Sequence, residues 1–368
     1  MADQSSRGSR IRSRGKRRKA PTKSRRAMTV AGWSLAGLVL VGGSGLGYGY
    51  FKLNGNLQGV DINAALGDDR PQNVDNGSMD ILVLGSDSRS GANGEYGVDE
   101  GAARSDTAMV VHVYEGHKKA SVVSIPRDTL VDRPQCANGE GKTVSGEKRA
   151  MFNTAYEVGG PACAVKTIEK MSRIRMDHYI EVDFTGFKKL IDELGGVEIT
   201  TAKPIDDSKS HLDLPPGTHT LNGEQSLGLV RTRKSVGDGS DLGRIQLQQA
   251  FMKAFINQVK DVGVFTNPKK LLDIADTATK AIKPDSELDS VNELMSFARG
   301  LSGLGAQDVH MITMPVEYDP ADPNRVVPLK AASQQVWTAL AQDKPIPASA
   351  VKDSAGDKGD AGTFVRSR

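Results

Sequence analysis

Apolar residues fall into short runs along most of the chain, each run ending in a polar motif. Met79 to Leu84 (MDILVL), Ala108 to Tyr114 (AMVVHVY) and Ala120 to Ile125 (ASVVSI) read as three strands. Runs of this length and richness in Val and Ile suit a sheet covered on both faces. Helical spacing then occupies Ala162 to about Met176. A strand at His178–Phe184, a helix over Thr185–Leu194 stopped by Gly195-Gly196, and a strand at Val197–Thr200 follow. Asn222 is placed to cap a helix running to Val230, and Asp241 to cap a longer one to about Val259, with a loop between them. Two further helical patterns fill 267–305, residues 307–315 read as a late strand, and Ser333–Leu340 as a last short helix. This alternation predicts an α/β sheet covered by helices.

Outside the periodic part the pattern changes. Residues 1–27 carry eleven Lys or Arg against the single acid Asp3, and Met28 to Phe51 carry no charge. At ~1.5 Å per residue the uncharged stretch can cross a ~30 Å hydrocarbon layer as one helix. The expected organisation is a cytoplasmic basic tail (1–27), a transmembrane helix (28–51), an extracellular stalk (52–78), one folded domain (79–341) and a solvated tail (342–368). The basic block is a contact for anionic membrane lipid. The net charge of +3 hides an asymmetry, because the chain beyond residue 27 holds 37 bases and 44 acids, which argues against a nucleic-acid partner. The only two cysteines, Cys136 and Cys163, fall in the exterior part, where oxidation is permitted. No CxxC or Cys/His spacing suggests metal or redox chemistry, so a disulfide is expected, contributing on the order of 3 kcal/mol. His112, set in an apolar strand, reads as structural rather than catalytic.

Candidate chemistry sits at the ends of these runs: GSDSR at 85–89, RSDT at 104–107, IPRD at 125–128, RTR at 231–233 and DLGRIQLQQ at 241–249. Together they supply carboxylates and several arginines, which is what a site needs to hold a divalent cation and a diphosphate at once. Arg244 and Gln248, four apart on a helix, share a face, so Gln248 can meet a phosphate or orient Arg244. Asp128 is placed to tie down Arg127 or a neighbouring arginine. Apolar residues on the helices, including Ile168, Phe187, Leu190, Phe251 and Phe255, fit core packing first and a lipid groove second.

Five separated motifs in this order, behind an apolar anchor, resemble the LytR-CpsA-Psr proteins of Gram-positive-type cell envelopes. The resemblance covers roughly residues 79–262 and implies a mixed central sheet in an α/β/α arrangement. It implies an enzyme that transfers the glycosyl phosphate of a polyprenyl-pyrophosphate-linked glycan donor to a peptidoglycan hydroxyl acceptor. Carried over by motif, Asp87 and Asp106 are the expected ligands of Mg2+, with Mn2+ as an alternative, and with Arg127 they form the expected catalytic set. Arg89, Arg104, Arg127, Arg231, Arg233, Arg244 and Gln248 are the expected pyrophosphate contacts, Arg89 and Arg104 equally serving as partners of the two aspartates. Gly228, Leu229 and Leu247 depart from the family's usual residues without removing a phosphate-binding group. Two other readings use the same residues: hydrolysis of the lipid diphosphate, and a non-catalytic sensor or attenuator that binds the lipid phosphate.

Overall fold

The computed structural model describes residues 50–67, 70–86, 105–138, 141–233, 239–264, 268–352, 354–356 and 365–366. The apolar segment at 28–49 lies outside these, and among the described residues no helix is long and apolar enough to cross a membrane.

The central sheet has six strands: β1 (Met79–Ser86), β2 (Ser105–Val113), β3 (Ala120–Ile125), β4 (His178–Asp183), β5 (Ile282–Pro284) and β6 (Val309–Thr313), in the order β5-β4-β1-β2-β3-β6. β1 runs parallel to β4 and antiparallel to β2, and β3 is antiparallel to β2 but parallel to β6. The sheet is therefore mixed. Its strands are apolar on both faces for a visible reason. Leu82, Leu84, Val110 and Val123 point into one core with Val165, Ile168, Val336, Trp337 and Leu340, whereas Ile81, Met109, Val113 and Val122 point into another with Met252, Ile256 and Phe297. The period-2 alternation separates two buried layers, not core from water. Helices α1 (Phe152–Ser172) and α7 (Lys330–Ala341) cover the first face. Helices α4 (Asp241–Asp261) and α6 (Val291–Leu301) cover the second.

A third apolar cluster joins α2 (Phe184–Glu193), α3 (Gly223–Arg231) and α4 to the small sheet formed by Val197–Thr201, Gly217–Leu221 and the short strand Val365–Arg366. Phe251 is buried there, with the rings of Phe187 and Phe255 at 5.6 and 6.4 Å. Ile168 is fully buried in the main core. Helix α5 (Pro268–Ala281) packs on α2, and Gly186 permits the approach, since a Cβ there would stand 2.3 Å from the Ala281 Cα.

Helix α1 begins ten residues before the expected start. The break suggested by Gly159-Gly160-Pro161 is a kink inside it, with Gly160 at φ 61°. Gly159 also lets the Cys136 hairpin reach the helix, because a Cβ there would meet the Ala137 carbonyl oxygen at 2.7 Å. The expected Cys136–Cys163 disulfide forms across this contact.

Two expectations from composition fail. The 52–78 lead-in is packed rather than loose: Leu53, Leu57, Ile62 and Leu66 are buried, and Val60 donates its amide to the Pro284 carbonyl. Arg70 inserts a buried guanidinium against Glu169, with Nη2–Oε1 at 2.5 Å, and also donates to the Met176 carbonyl at 2.9 Å. The stretch from Asp343 folds back as well. Ile346 and Ala350 join the main core, and the Ala355 amide donates to the Val316 carbonyl. His112, fully buried on β2, fastens this segment. Its Nδ1 meets Asp80 and its Nε2 meets Asp343, both at 2.9 Å. Polar residues that look solvated in isolation are held by partners far away in sequence.

Arg70→Ala strands the buried Glu169 carboxylate and should cost about 3–5 kcal/mol in urea unfolding. Burial alone would depress the His112 pKa, but its hydrogen bonds and the charges of Asp80 and Asp343 raise it above the ordinary histidine value. The stabilisation is then fully present below about pH 6.5 and is lost as pH rises through the folded-state pKa. Asp343→Asn should accordingly lower the thermal midpoint more at about pH 6 than at about pH 8.5, as read by calorimetry at both values.

Candidate active site

Antiparallel pairing sets Ser86, the end of β1, opposite Ser105, the start of β2, and Ala108 opposite Ile125, the end of β3. The end of β1, the start of β2 and the end of β3 therefore lie at one end of the sheet, where α/β proteins place their ligands. Helix α4 starts at the same end. Its N-cap is Ser240, whose Oγ accepts from the Leu242 amide at 3.2 Å, not Asp241 as expected. Asp241 is thereby freed to face the site.

Arg127 and Arg244 converge on Asp106. Arg127 Nη1 donates to Asp106 Oδ1 at 2.6 Å, and Arg244 Nη2 donates to the Asp106 carbonyl at 2.7 Å. Arg244 Nη2 also lies 2.5 Å from Asp241 Oδ1, and the Arg127 amide donates to Asp241 Oδ2 at 3.3 Å. Asp128 stands 3.5 Å from Arg127 Nε, the tie expected of it. Arg233 reaches the group only at 3.8 Å, from Nη2 to Asp241 Oδ1, while its amide donates to Asp207. Four elements far apart in sequence meet here through charge.

The remaining expected contacts take other positions. Arg231 is the last residue of α3, not a loop residue, and its guanidinium carbon lies 5.5 Å from the centre of the Phe184 ring. That ring borders Gly85 at the end of β1. Thr232, between the two arginines, is buried and bonds Ser210 and the Gly228 carbonyl, which sends Arg231 and Arg233 to different neighbours. Gln248 donates to Thr107 Oγ1 and to the Val230 carbonyl, both at 3.0 Å, so its amide protons brace β2 against α3. Asp87, Arg89 and Arg104 lie outside the described residues. Among the described residues no group of three or more His, Cys, Asp or Glu side chains is placed to hold a metal. Asp241 and Phe184 are the site residues that sequence reasoning missed. The i, i+3 spacing of Asp241 and Arg244 was the available signal for the first.

Charge crowding is the feature of the cluster that matters most. Burial would raise the Asp106 pKa, yet Arg244 and Arg127 outweigh it and hold the carboxyl below its ordinary value, so it is a fixed anion. Arg127 is raised despite its burial, by Asp106, Asp128 and Asp241. Arg233 goes the other way. Burial first, then the positive charges of Arg244 and Arg127, push it down to about 10, against the weaker opposing pull of Asp241 and Asp106. The carboxylates are claimed by Arg127 and Arg244, and Arg233 is a half-buried cation among cations. A polyanion relieves that arrangement, and arginine forks are the side chains suited to phosphate oxygens.

A profile described as the LytR_cpsA_psr family matches residues 49–342. The chain belongs to this family. Among curated relatives of the family, the cell wall biosynthesis protein LcpA of Corynebacterium glutamicum is 34% identical over 302 residues. That alignment covers 74% of this chain and 57% of LcpA, so the chain spans little over half that relative's length. The polyisoprenyl-teichoic acid–peptidoglycan teichoic acid transferase TagT of Bacillus subtilis is also 34% identical over 302 residues, covering 79% of this chain and 87% of TagT. Among solved LytR_cpsA_psr-type structures, TagT bound to LI-WTA superposes with a TM-score of 0.57 at 27% identity, covering 78% of this chain and 98% of that one. An Actinomyces oris enzyme of the family has the same fold, with a TM-score of 0.56 at 20% identity.

Inorganic pyrophosphate should bind the cluster in isothermal titration calorimetry. Arg233→Ala should weaken it about tenfold or more, as losing a charge-assisted hydrogen bond does. The same variant should unfold no more easily than the parent without ligand, because the removed cation is crowded by like charge.

Proposed function

We propose that the protein is a phosphotransferase acting on the outer face of the membrane. It takes a glycopolymer carried on a polyprenyl pyrophosphate and transfers its glycosyl phosphate to a peptidoglycan hydroxyl. The observation that carries this reading is the convergence of Arg127, Arg233 and Arg244 on Asp106 and Asp241 at one end of the sheet. Three guanidinium groups so placed suit the oxygens of a diphosphate. TagT, a teichoic acid transferase from a polyisoprenyl carrier to peptidoglycan, supports the substrate class, and the uncharged segment at 28–51 supports the location.

In the reaction the acceptor hydroxyl oxygen attacks the phosphorus that bears the glycan, the bridging P–O bond of the diphosphate breaks, and polyprenyl phosphate leaves with the bond's electron pair, the hydroxyl proton passing to the leaving phosphate or to solvent. Arg127, Arg233 and Arg244 are disposed to bind the diphosphate and to stabilise the charge that grows on the leaving phosphate, the effect that contributes most where donors are preorganised. Arg231 approaches from the Phe184 side. Asp106, as an ionised hard-oxygen donor beside these arginines, fits Mg2+ shared with substrate phosphates, and Asp87 of GSDSR would be its companion. The bound metal would neutralise diphosphate charge. A carboxylate whose pKa is held down is a poor base, so Asp106 serves better as an anchor for cation and arginine than as the acceptor of the hydroxyl proton.

The full-length protein in detergent, given a polyprenyl-pyrophosphoryl glycan and an undecorated peptidoglycan oligomer, should release polyprenyl phosphate only when both acceptor and Mg2+ are present. Asp106→Ala should reduce the rate by about two to three orders of magnitude, in line with loss of a preorganised electrostatic group. Release without acceptor would favour a hydrolase, and retention of the lipid without release a binding or sensing protein.

A further inference from the structure

A concavity lies beside the arginine cluster and is not part of it. It has a volume of about 340 Å³ and is floored by Leu130, Met151 and Val158, with Glu147, Arg149, Asp319, Asp322 and Arg325 around it. We propose that this cavity is the acceptor subsite, taking one sugar unit of the uncharged glycan backbone whose hydroxyl receives the phosphoryl group. The proposal rests on the transferase reading above.

Three observations point there. The first is continuity. Asp128 stands between the two sites, 3.5 Å from Arg127 Nε on one side and 3.8 Å from Arg325 Nη1 on the other. The backbone repeats the connection, because Val326 donates to the Asp128 carbonyl at 3.4 Å and Thr129 bridges Val326. An acceptor held in the cavity is thus separated from the phosphate cluster by one side chain, that of Asp128.

The second is charge. Each carboxylate around the cavity meets an arginine, Asp319 with Arg149, Asp322 with Arg325 and Glu147 with Arg133, so the lining is polar but close to neutral. Such a lining offers a diphosphate no excess of positive charge. It suits a neutral, hydroxyl-rich ligand, since carboxylates accept from hydroxyl groups, arginines donate to ring and hydroxyl oxygens, and the apolar floor meets the C–H face of a sugar ring.

The third is local strain. Arg149, on the rim, has φ 55°, a conformation a non-glycine residue seldom takes, and its Nη2 donates to the buried Asp319 carboxylate at 2.7 Å. Backbone in that region persists where the surroundings hold it for a purpose. Here it aims a guanidinium along the cavity wall.

The test uses full-length protein in detergent, a tetrasaccharide of N-acetylglucosamine as the neutral glycan backbone, and the free stem peptide. Binding of each is followed by ligand-observed NMR without lipid donor, and pyrophosphate binding is measured on the same samples. The tetrasaccharide should bind the parent. Val158→Trp, which fills the floor, should weaken it about tenfold or more, and Asp322→Asn, which removes one rim charge but keeps the turn, about threefold, while pyrophosphate still binds both. Failure of the tetrasaccharide to bind, or unchanged binding in Val158→Trp with pyrophosphate binding intact, overturns the subsite alone. Binding of the stem peptide in place of the sugar also overturns it, making the cavity a peptide site. Absence of pyrophosphate binding in the parent overturns the transferase reading and this subsite with it.

Discussion

The residue on which the site depends is Asp106, the second residue of β2. Its carboxylate takes Arg127 and its carbonyl takes Arg244, so one position ties the strand that carries it to the loop after β3 and to the start of α4. Asp241 closes the circuit by meeting both arginines from the helix side. These pairs are partly buried, and such pairs contribute little to net stability, because desolvation offsets most of the attraction. What they supply is geometry: guanidinium groups held at fixed places around an opening at one end of the sheet.

That geometry has a cost, and the cost is informative. A fold selected for stability alone would not set Arg233 beside Arg127 and Arg244 with only a 3.8 Å contact to an acid. Local rules are broken where function requires it, and the surrounding structure compensates. The compensation is visible in the two-sided core of β1, β2 and β3, in Gln248 bracing β2 against α3, in the buried Arg70–Glu169 pair that fastens the lead-in to α1, and in the His112 contact that fastens the C-terminal segment to β2. Crowded charge is carried by a scaffold that does not depend on it.

Much of the scaffold was legible in the chain. Strands covered on both faces declare themselves as apolar runs without need of alternation, and Asn222 caps its helix as its position implied, with Gln225 completing the capping box. The start of α1 was hidden because Gly159-Gly160-Pro161 looks like a boundary, whereas contact with the Cys136 hairpin makes it a kink. The segments before Met79 and after Asp343 were misread for one reason: their polarity suggests water, while their partners, Glu169 and His112, are some 100 and 230 residues distant in sequence. At the site, the arginines stood out as motif residues, but their convergence could not be read from any one motif. Asp241 looked like a cap until Ser240 took that role, and only the assembled fold reveals which carboxylates meet Arg127 and Arg244 closely and which, with Arg233, stay farther apart.

We propose that the Arg127, Arg233 and Arg244 cluster is a diphosphate site completed by its ligand. The most direct measurement is a crystal structure of the protein with a short-chain prenyl pyrophosphate. The account predicts phosphate oxygens within hydrogen-bond distance of the guanidinium groups of Arg233 and Arg127, with Arg244 still bonded to the Asp106 carbonyl. A diphosphate seated elsewhere, with Arg233 turned away to solvent, would contradict it.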